Sequence, residues 1–488
     1  MIGTSYGAVL DGMEGKVVRV EADVSAGLPQ FTVVGLPDSS VNESKARIRS
    51  AIRNSGLEFP RGRITVNLSP AGIRKRGVGL DLAIAIAILR AGRQLAPRPE
   101  NTAFLAELAL TGELLPLPEA LRLTDACAEQ SLPNVVVSHL QRDGEWLLNQ
   151  ATWQNATTLL EVSDWLNGLG QLTTHRPLPP KLKRHEACDM CEVENLTFAK
   201  RGLEIAAVGG LHTLLVGPPG SGKTMLAERF VTLLPSLPPT HAREVVSLLH
   251  SFSNVDWCSA TPPVRAPHHS ISSTGLTGGG HPIYPGEATF AHRGVLLLDE
   301  LLEFNRSALQ SLREPLMERQ IRISRAGQSV LLPADFILIA TSNPCPCGQY
   351  GFGVCRCLES ERNRYWSKIA GPLMDRFDLV IAVHQSSSIQ KSPVSMPEKS
   401  QFIRSRVSEA KAALSAQTRL SLSSTRSRLA NPAFLARSAE IAAALGISRR
   451  GLESVRHIAN CIAVLDGIEI PGEPQLLEAL QYRNPQIR

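Results

Sequence analysis

Along this chain apolar and polar positions recur with two periods, two residues and about 3.6, and the switching between them divides the sequence. Residues 63–68 read Arg-Ile-Thr-Val-Asn-Leu and predict a half-buried strand, Asn134 to Val137 a second strand, and Asp81 to Ala91 an apolar helix. Such β-rich runs mixed with helices predict a separate α/β domain over residues 1–172. Thr173 to Arg184 contains Pro177, Pro179 and Pro180, which disfavour helix and sheet interiors, so residues 173–190 read as a linker. Thr213 to Val216 then forms a short apolar strand running into a Gly-rich loop and a helix predicted over Met225 to Leu234. Val295 to Leu298 and Phe336 to Ala340 are further apolar strands, and residues 321–332 alternate on both sides of Arg325-Ala-Gly-Gln328 as a hairpin does. These elements place a second domain over residues 191–385. A polar linker, 386–400, leads to Ala- and Leu-rich helical periodicity, read as a helical third domain over 401–488.

Length agrees with that division, since 488 residues exceed what one core serves and imply about two to four domains. The longest apolar run, Leu82 to Leu89, is far short of the roughly 20 residues that span a bilayer, so no membrane contact is expected. The first residues lack the basic and apolar regions of a secretory signal, and the expected address is cytoplasmic. Four of nine cysteines crowd between Cys345 and Cys357, which argues for one metal site in a reducing compartment rather than a disulfide framework.

The net charge of +6 is mild, but it is unevenly spread. Between Lys45 and Arg76 there are nine Lys or Arg and one acid, Glu58; between Gln401 and Asn460 there are ten against Glu409, Glu440 and Glu453. Each run alone is compatible with a solvated helix face, whereas two in one protein draw attention to a polyanionic partner.

The chemistry is concentrated in the second domain. Gly217, Pro218, Pro219, Gly220, Ser221, Gly222, Lys223 and Thr224 complete a phosphate-binding pattern between a strand and a helix. Its glycines let backbone N–H groups face phosphate oxygens, Lys223 reaches the β and γ phosphates of ATP, and Thr224 ligates Mg2+. The apolar strand Val295 to Leu298 delivers Asp299, suited to Mg2+, and Glu300, suited to polarise the attacking water. Asn343 follows a neighbouring strand, where it can hold that water or the γ-phosphate. Arg376, in Gly371-Pro-Leu-Met-Asp-Arg-Phe-Asp378, is a candidate finger that stabilises charge on a neighbour's ATP and so requires an oligomer. Cys345 and Cys347, then a seven-residue gap, then Cys355 and Cys357, can fold four thiolates around one Zn2+; unligated or redox-active thiols are the alternative. Cys188 and Cys191 have the commoner spacing but no second pair nearby, and read as structural.

The runs Arg265-Ala-Pro-His-His-Ser270, Gly278-Gly-Gly-His-Pro-Ile-Tyr-Pro-Gly-Glu287 and Ala291-His-Arg-Gly-Val-Leu-Leu-Leu-Asp-Glu-Leu301 resemble the YifB or ComM group of magnesium-chelatase-like AAA+ ATPases. Gly35-Leu-Pro-Asp38, Leu312-Arg-Glu-Pro-Leu316 and Gly451 to Gly467 extend the likeness over nearly the whole chain. The resemblance implies a multidomain α/β fold: a Lon-protease-like N-terminal domain of the S5 type, an AAA+ P-loop core with a parallel sheet, and a C-terminal helical lid. Lys75-Arg-Gly-Val-Gly-Leu-Asp81 aligns with the Lon nucleophile segment but has Gly79 where Ser would stand, and Pro118 to Leu123 contains no Lys, so the domain is expected to be protease-inactive.

The same resemblance makes Asn343 similar to sensor 1, Arg376 to the trans-acting finger and Arg450 to the sensor 2 arginine, although Ser454 and Asn460 stand where relatives carry basic residues. Residues 321–332 look like the pre-sensor hairpin that replicative helicases of this clade point into their pore, making Arg322 and Arg325 candidate DNA contacts beside Arg47, Arg49 and Arg53. Ser270 to Pro285 corresponds to a second pore loop or a plain surface loop. Three functions remain open on the sequence: a hexameric DNA motor of branch migration in natural transformation, an ATP-driven remodeller of a protein partner like the magnesium-chelatase motor, and a peptide-handling unfoldase. The basic runs favour the first.

Overall fold

The computed structural model describes residues 2–11, 14–72, 75, 79–96, 101–139, 151–175, 188–252, 261–280, 283–325, 328–369, 371, 373–384, 397–423, 432–445 and 447–483. The chain forms two compact units, Met1–Lys181 with Pro239–Trp257, and Leu182–Pro238 with Cys258–Arg488.

In the first unit, strands β1 (Ile2–Asp11), β2 (Glu14–Ser25), β3 (Gln30–Val34), β4 (Arg63–Ser69), β5 (Thr102–Leu105), β6 (Asn134–Ser138), β7 (Thr152–Ala156) and β8 (Thr173–His175) make one mixed sheet in the order β8-β7-β6-β5-β1-β2-β4-β3. The period-two pattern acts as expected in β4, where Ile64, Val66 and Leu68 are buried and Arg63 and Asn67 are exposed. The helix Asp81–Ala91 is apolar from Leu82 to Leu89, as suits a helix in which every residue but Arg90 is buried. Its Asp81 accepts from Arg47 Nε at 3.0 Å, and Arg47 belongs to the helix Ser39–Asn54. The helix Pro239–Phe252 packs into this unit although it falls between elements of the second in sequence. Arg122 Nε donates to Ser247 Oγ at 3.1 Å, and Arg243 pairs with Asp125 at 3.6 Å.

In the second unit, β9 (Thr213–Val216), β10 (Val264–Arg265), β11 (Val295–Leu298), β14 (Ile337–Ser342) and β15 (Leu379–Ala382) form a parallel sheet in the order β10-β11-β14-β9-β15, while β12 (Gln320–Arg325) and β13 (Gln328–Pro333) form a hairpin. All residues of β9 and β11 are buried, as expected of parallel strands covered on both faces. The helix Thr197–Gly209 lies so close to β15 that a Cβ on Gly202 would come within 2.5 Å of Ile381 Cδ1. The helices Ser400–Ser423, Pro432–Ala444, Arg449–Leu465 and Glu473–Gln481 follow, with Val407, Ile458, Ile462 and Leu476 sharing one core with Leu203 and Leu215.

Several boundaries differ from the expected ones: Thr173–His175, expected in the first linker, is the edge strand β8, and Ser400, expected in the second, begins a helix. The helix predicted over Met225 to Leu234 runs Lys223–Arg229 and tightens to a 3-10 turn at Phe230–Leu233, because Gly222 at φ +87° ends the loop and starts the helix earlier. The strand predicted over Phe336 to Ala340 runs on through polar Thr341 and Ser342, since its ladder to β9 continues as Leu215↔Thr341 and Val216↔Ser342. The prolines of the first linker and most of the second lie outside the described residues. Among the described residues no helix is long and apolar enough to cross a membrane.

Candidate active site

The phosphate loop leaves the C-terminal end of β9, with positive φ at Gly220 (+74°) and Gly222 (+87°). A Cβ on Gly217 would meet Val383 O at 2.3 Å, and the Gly217 N–H donates to Ser342 O at 3.2 Å. Lys223 is 7% exposed, and its Nζ donates to Gly217 O at 2.8 Å and Pro218 O at 2.7 Å, with Asn343 Oδ1 at 3.4 Å. Burial pulls the Lys223 ammonium below its ordinary pKa, and the charges of Asp299 and Glu300 work against that shift. The buried Ser221 hydroxyl has no hydrogen-bond partner among the described residues, a polar deficit that a phosphate oxygen on this loop would satisfy.

Two strands away in the sheet, β11 delivers the acids. Asp299 accepts from Thr224 at 3.0 Å and from Thr341 at 2.5 Å, so the threonine and the aspartate expected to serve Mg2+ stand together. Glu300 is exposed at φ +54°, an uncommon conformation for a side chain with a Cβ, and its N–H donates to Thr341 Oγ1 at 3.0 Å. Burial pushes the neighbouring Tyr365 hydroxyl up to about 12, helped by Glu303 and Glu300. Neither Thr341 nor Tyr365 stands out in sequence; a hydroxyl at a strand end and an aromatic in the polar helix Glu359–Trp366 carry no motif.

Asn343 leaves β14, which lies between the strands bearing the phosphate loop and the acids, and so reaches Lys223. Arg376 lies on the 3-10 turn Met374–Arg376, is 8% exposed, and its Nε has no partner among the described residues. The residues after it are held from the helical C-terminal region: Arg483 donates to Phe377 O at 2.5 Å, and Ser454 to Asp378 at 2.9 Å. Ser454, which departs from the family's basic pattern, therefore has a structural use. Arg450 is exposed. Burial pushes the His212 imidazole down and Arg450 adds to that push, yet His212 precedes β9 whereas the phosphate loop follows it.

Cys345, Cys347, Cys355 and Cys357 converge, all four sulfurs lying within 4.8 Å of one another. Cys345 is 3.3 Å from Cys347 and 3.7 Å from Cys355. Four sulfurs at the usual ~2.3 Å from a tetrahedral Zn2+ stand roughly 3.8 Å apart, so the set fits that ion. Backbone N–H donors from Arg356 and Gln349 bring the Cys347 thiol down to about 6, whereas burial pushes Cys345 and Cys357 up, so the crowded sulfurs do not all ionise alike without a cation. Cys188 and Cys191 join no such group among the described residues; the Cys191 N–H donates to the Asp189 carboxylate at 2.9 Å.

Of the basic candidates, Arg322 is exposed on β12 and Arg325 ends that strand opposite Gln328. Arg49 and Arg53 are exposed, Arg49 lying over the Phe59 ring at 5.5 Å. Arg47 instead turns inward to Asp81 and Ser44.

A parallel sheet with a Gly-rich phosphate-binding pattern leaving an inner strand, and an Asp-Glu pair ending the strand two places away with Asp299 bonded to Thr224, is that of an AAA+ P-loop ATPase. The chain belongs to the YifB/ComM family of magnesium-chelatase-like members of that class. Residues 189–391 match magnesium chelatase, subunit ChlI, and residues 20–141 match subunit ChlI of Mg-chelatase. The uncharacterized protein YifB of Escherichia coli is 38% identical over 97% of this chain and 95% of its own. Competence protein ComM of Haemophilus influenzae is 36% identical over 98% and 96%, and an uncharacterized protein of Mycobacterium tuberculosis 35% identical over 100% and 99%.

Proposed function

We propose that this chain is a cytoplasmic, ATP-driven hexameric ring motor that moves on DNA and promotes branch migration during homologous recombination in natural transformation. One relationship carries the reading. The hairpin bearing Arg322 and Arg325 passes through Pro333 into β14, whose far end touches Lys223 through Asn343. A change at the phosphate loop therefore reaches a basic hairpin along one strand, which is what a phosphate-gripping lever requires. The resemblance to competence protein ComM supports the same setting.

In this scheme Lys223 and the loop N–H groups hold the phosphates of ATP, Thr224 and Asp299 hold Mg2+, Glu300 takes the proton of the attacking water, and Asn343 orients it. Bound Mg2+ supplies counter-charge at the β and γ phosphates. Arg376 serves a neighbour's ATP, and Arg450 acts as the sensor 2 arginine on ATP. Cys345, Cys347, Cys355 and Cys357 hold structural Zn2+. A labelled three-strand branched-DNA exchange assay, with Lys223→Ala and Glu300→Gln as inactive controls, tests the proposal. Absence of both DNA-stimulated ATP hydrolysis and ATP-dependent strand movement refutes it. The match to a magnesium-chelatase subunit favours one other reading, remodelling of a protein partner, which predicts stimulation by that protein and none by DNA.

A further inference from the structure

A four-cysteine loop is ordinarily a surface staple, remote from catalysis. Here its surroundings give it a position in the ATP site. The first thiol, Cys345, comes two residues after Asn343, so the ligand set begins where β14 ends. Gly348 is buried, at φ +76°, and a Cβ there would stand 2.5 Å from Pro219 Cδ and 3.0 Å from Pro219 Cγ. Backbone of the cysteine loop is thus seated directly on the phosphate loop. The turn that makes this contact is wrapped around a thiol: the Gly348 N–H donates to Cys345 O at 2.9 Å and the Tyr350 N–H to Cys345 Sγ at 3.4 Å. The Arg362 guanidinium covers the Tyr350 ring at 4.1 Å and Trp366 Nε1 donates to Pro344 O at 2.9 Å, so the helix Glu359–Trp366 holds the loop at two points. Sulfurs this close repel once ionised, and a bound cation is what lets them converge.

We infer that the cysteine loop is a metal-dependent brace for the ATP site: zinc on its four thiolates holds Gly348 against Pro219 and keeps the phosphate loop in the shape that receives nucleotide. Gly348 and Pro219 are positioning residues, and metal occupancy sets nucleotide affinity. The inference rests on the ATP-site and zinc readings and is independent of the track the motor runs on.

The full-length protein is assayed for zinc per chain by elemental analysis and for binding of a fluorescent ATP analogue, before and after stripping with a chelator. Stripping is expected to weaken binding about tenfold or more, and zinc alone to restore it. Gly348→Ala, whose methyl group meets Pro219, is expected to keep its zinc, to weaken nucleotide binding about tenfold and to raise KM for ATP more than it lowers kcat. Stripped protein that binds nucleotide as tightly as loaded protein overturns the inference, and so does a Gly348→Ala protein that keeps both its zinc and its full nucleotide affinity. Failure of every form, loaded or stripped, to bind nucleotide overturns the ATPase reading itself.

Discussion

Thr341 ties the two active-site acids together: its hydroxyl donates to Asp299 Oδ1 at 2.5 Å and accepts the Glu300 N–H at 3.0 Å. One oxygen thereby aims the carboxylate proposed to hold Mg2+ and holds Glu300 in its positive-φ conformation, a strain of order 1–3 kcal/mol that the surrounding sheet must offset. Thr341→Val preserves shape and removes both bonds. We expect the Mg2+ concentration for half-maximal ATP hydrolysis to rise roughly 10- to 100-fold, with the melting temperature little changed. An unchanged Mg2+ dependence would show Thr341 to be mere packing.

Glu300→Gln separates binding from hydrolysis. Nucleotide affinity should stay near that of the unaltered protein, while turnover falls by about 10²–10⁴, the usual contribution of a general base. Parallel loss of both would place Glu300 in binding rather than proton transfer.

Lys223 predicts a pH dependence whose sign follows from its burial. The ammonium is disfavoured in the free protein, and phosphate charge favours it, so binding ATP draws in a proton as pH rises towards the depressed pKa. Affinity should be flat at lower pH and fall through that alkaline window. The unfolded chain holds this proton more tightly than the free folded protein, so the same group makes stability rise with pH between the depressed and ordinary values. Calorimetry in two buffers of different ionisation enthalpy reads the uptake, which Lys223→Ala should abolish.

Arg376 should act across a subunit boundary. Arg376→Ala and Glu300→Gln are each expected to be nearly inactive, yet mixing them should recover part of the ATPase, because some sites then combine an intact Glu300 with a neighbour's intact Arg376. No recovery at any mixing ratio would argue for a role within one chain.

Arg47 and Arg53 lie on one helix with different expected roles. Removing Arg47 leaves Asp81, whose carboxyl burial already pushes up, without its cation, and Arg47→Ala should cost about 3 kcal/mol of stability by denaturant titration. Arg53→Ala should leave stability within about 0.5 kcal/mol and lower the salt slope of DNA binding by about 1. Equal effects of the two on DNA binding at matched stability would contradict this division.

Wherever function needs a run of neighbours along the chain, the sequence alone determined it. A strand, a Gly-rich loop and a helix start must be contiguous to bind phosphate, so residues 213–224 are legible as they stand, and an apolar strand ending in Asp299-Glu300 is equally local. The cysteine spacing and the β12–β13 hairpin are legible for the same reason. The strand order brought Asn343 to Lys223, 120 residues away. The register Leu215↔Thr341 placed a hydroxyl with no motif between the two acids, and the close approach of Gly348 to Pro219 joined two loops that the sequence keeps apart. Packing likewise buried Arg376, turned Arg47 inward and gathered the helix Pro239–Phe252 into the first unit. These are contacts between distant segments, specified by hydrogen-bond register and side-chain volume together, and neither quantity is written in any short window of residues.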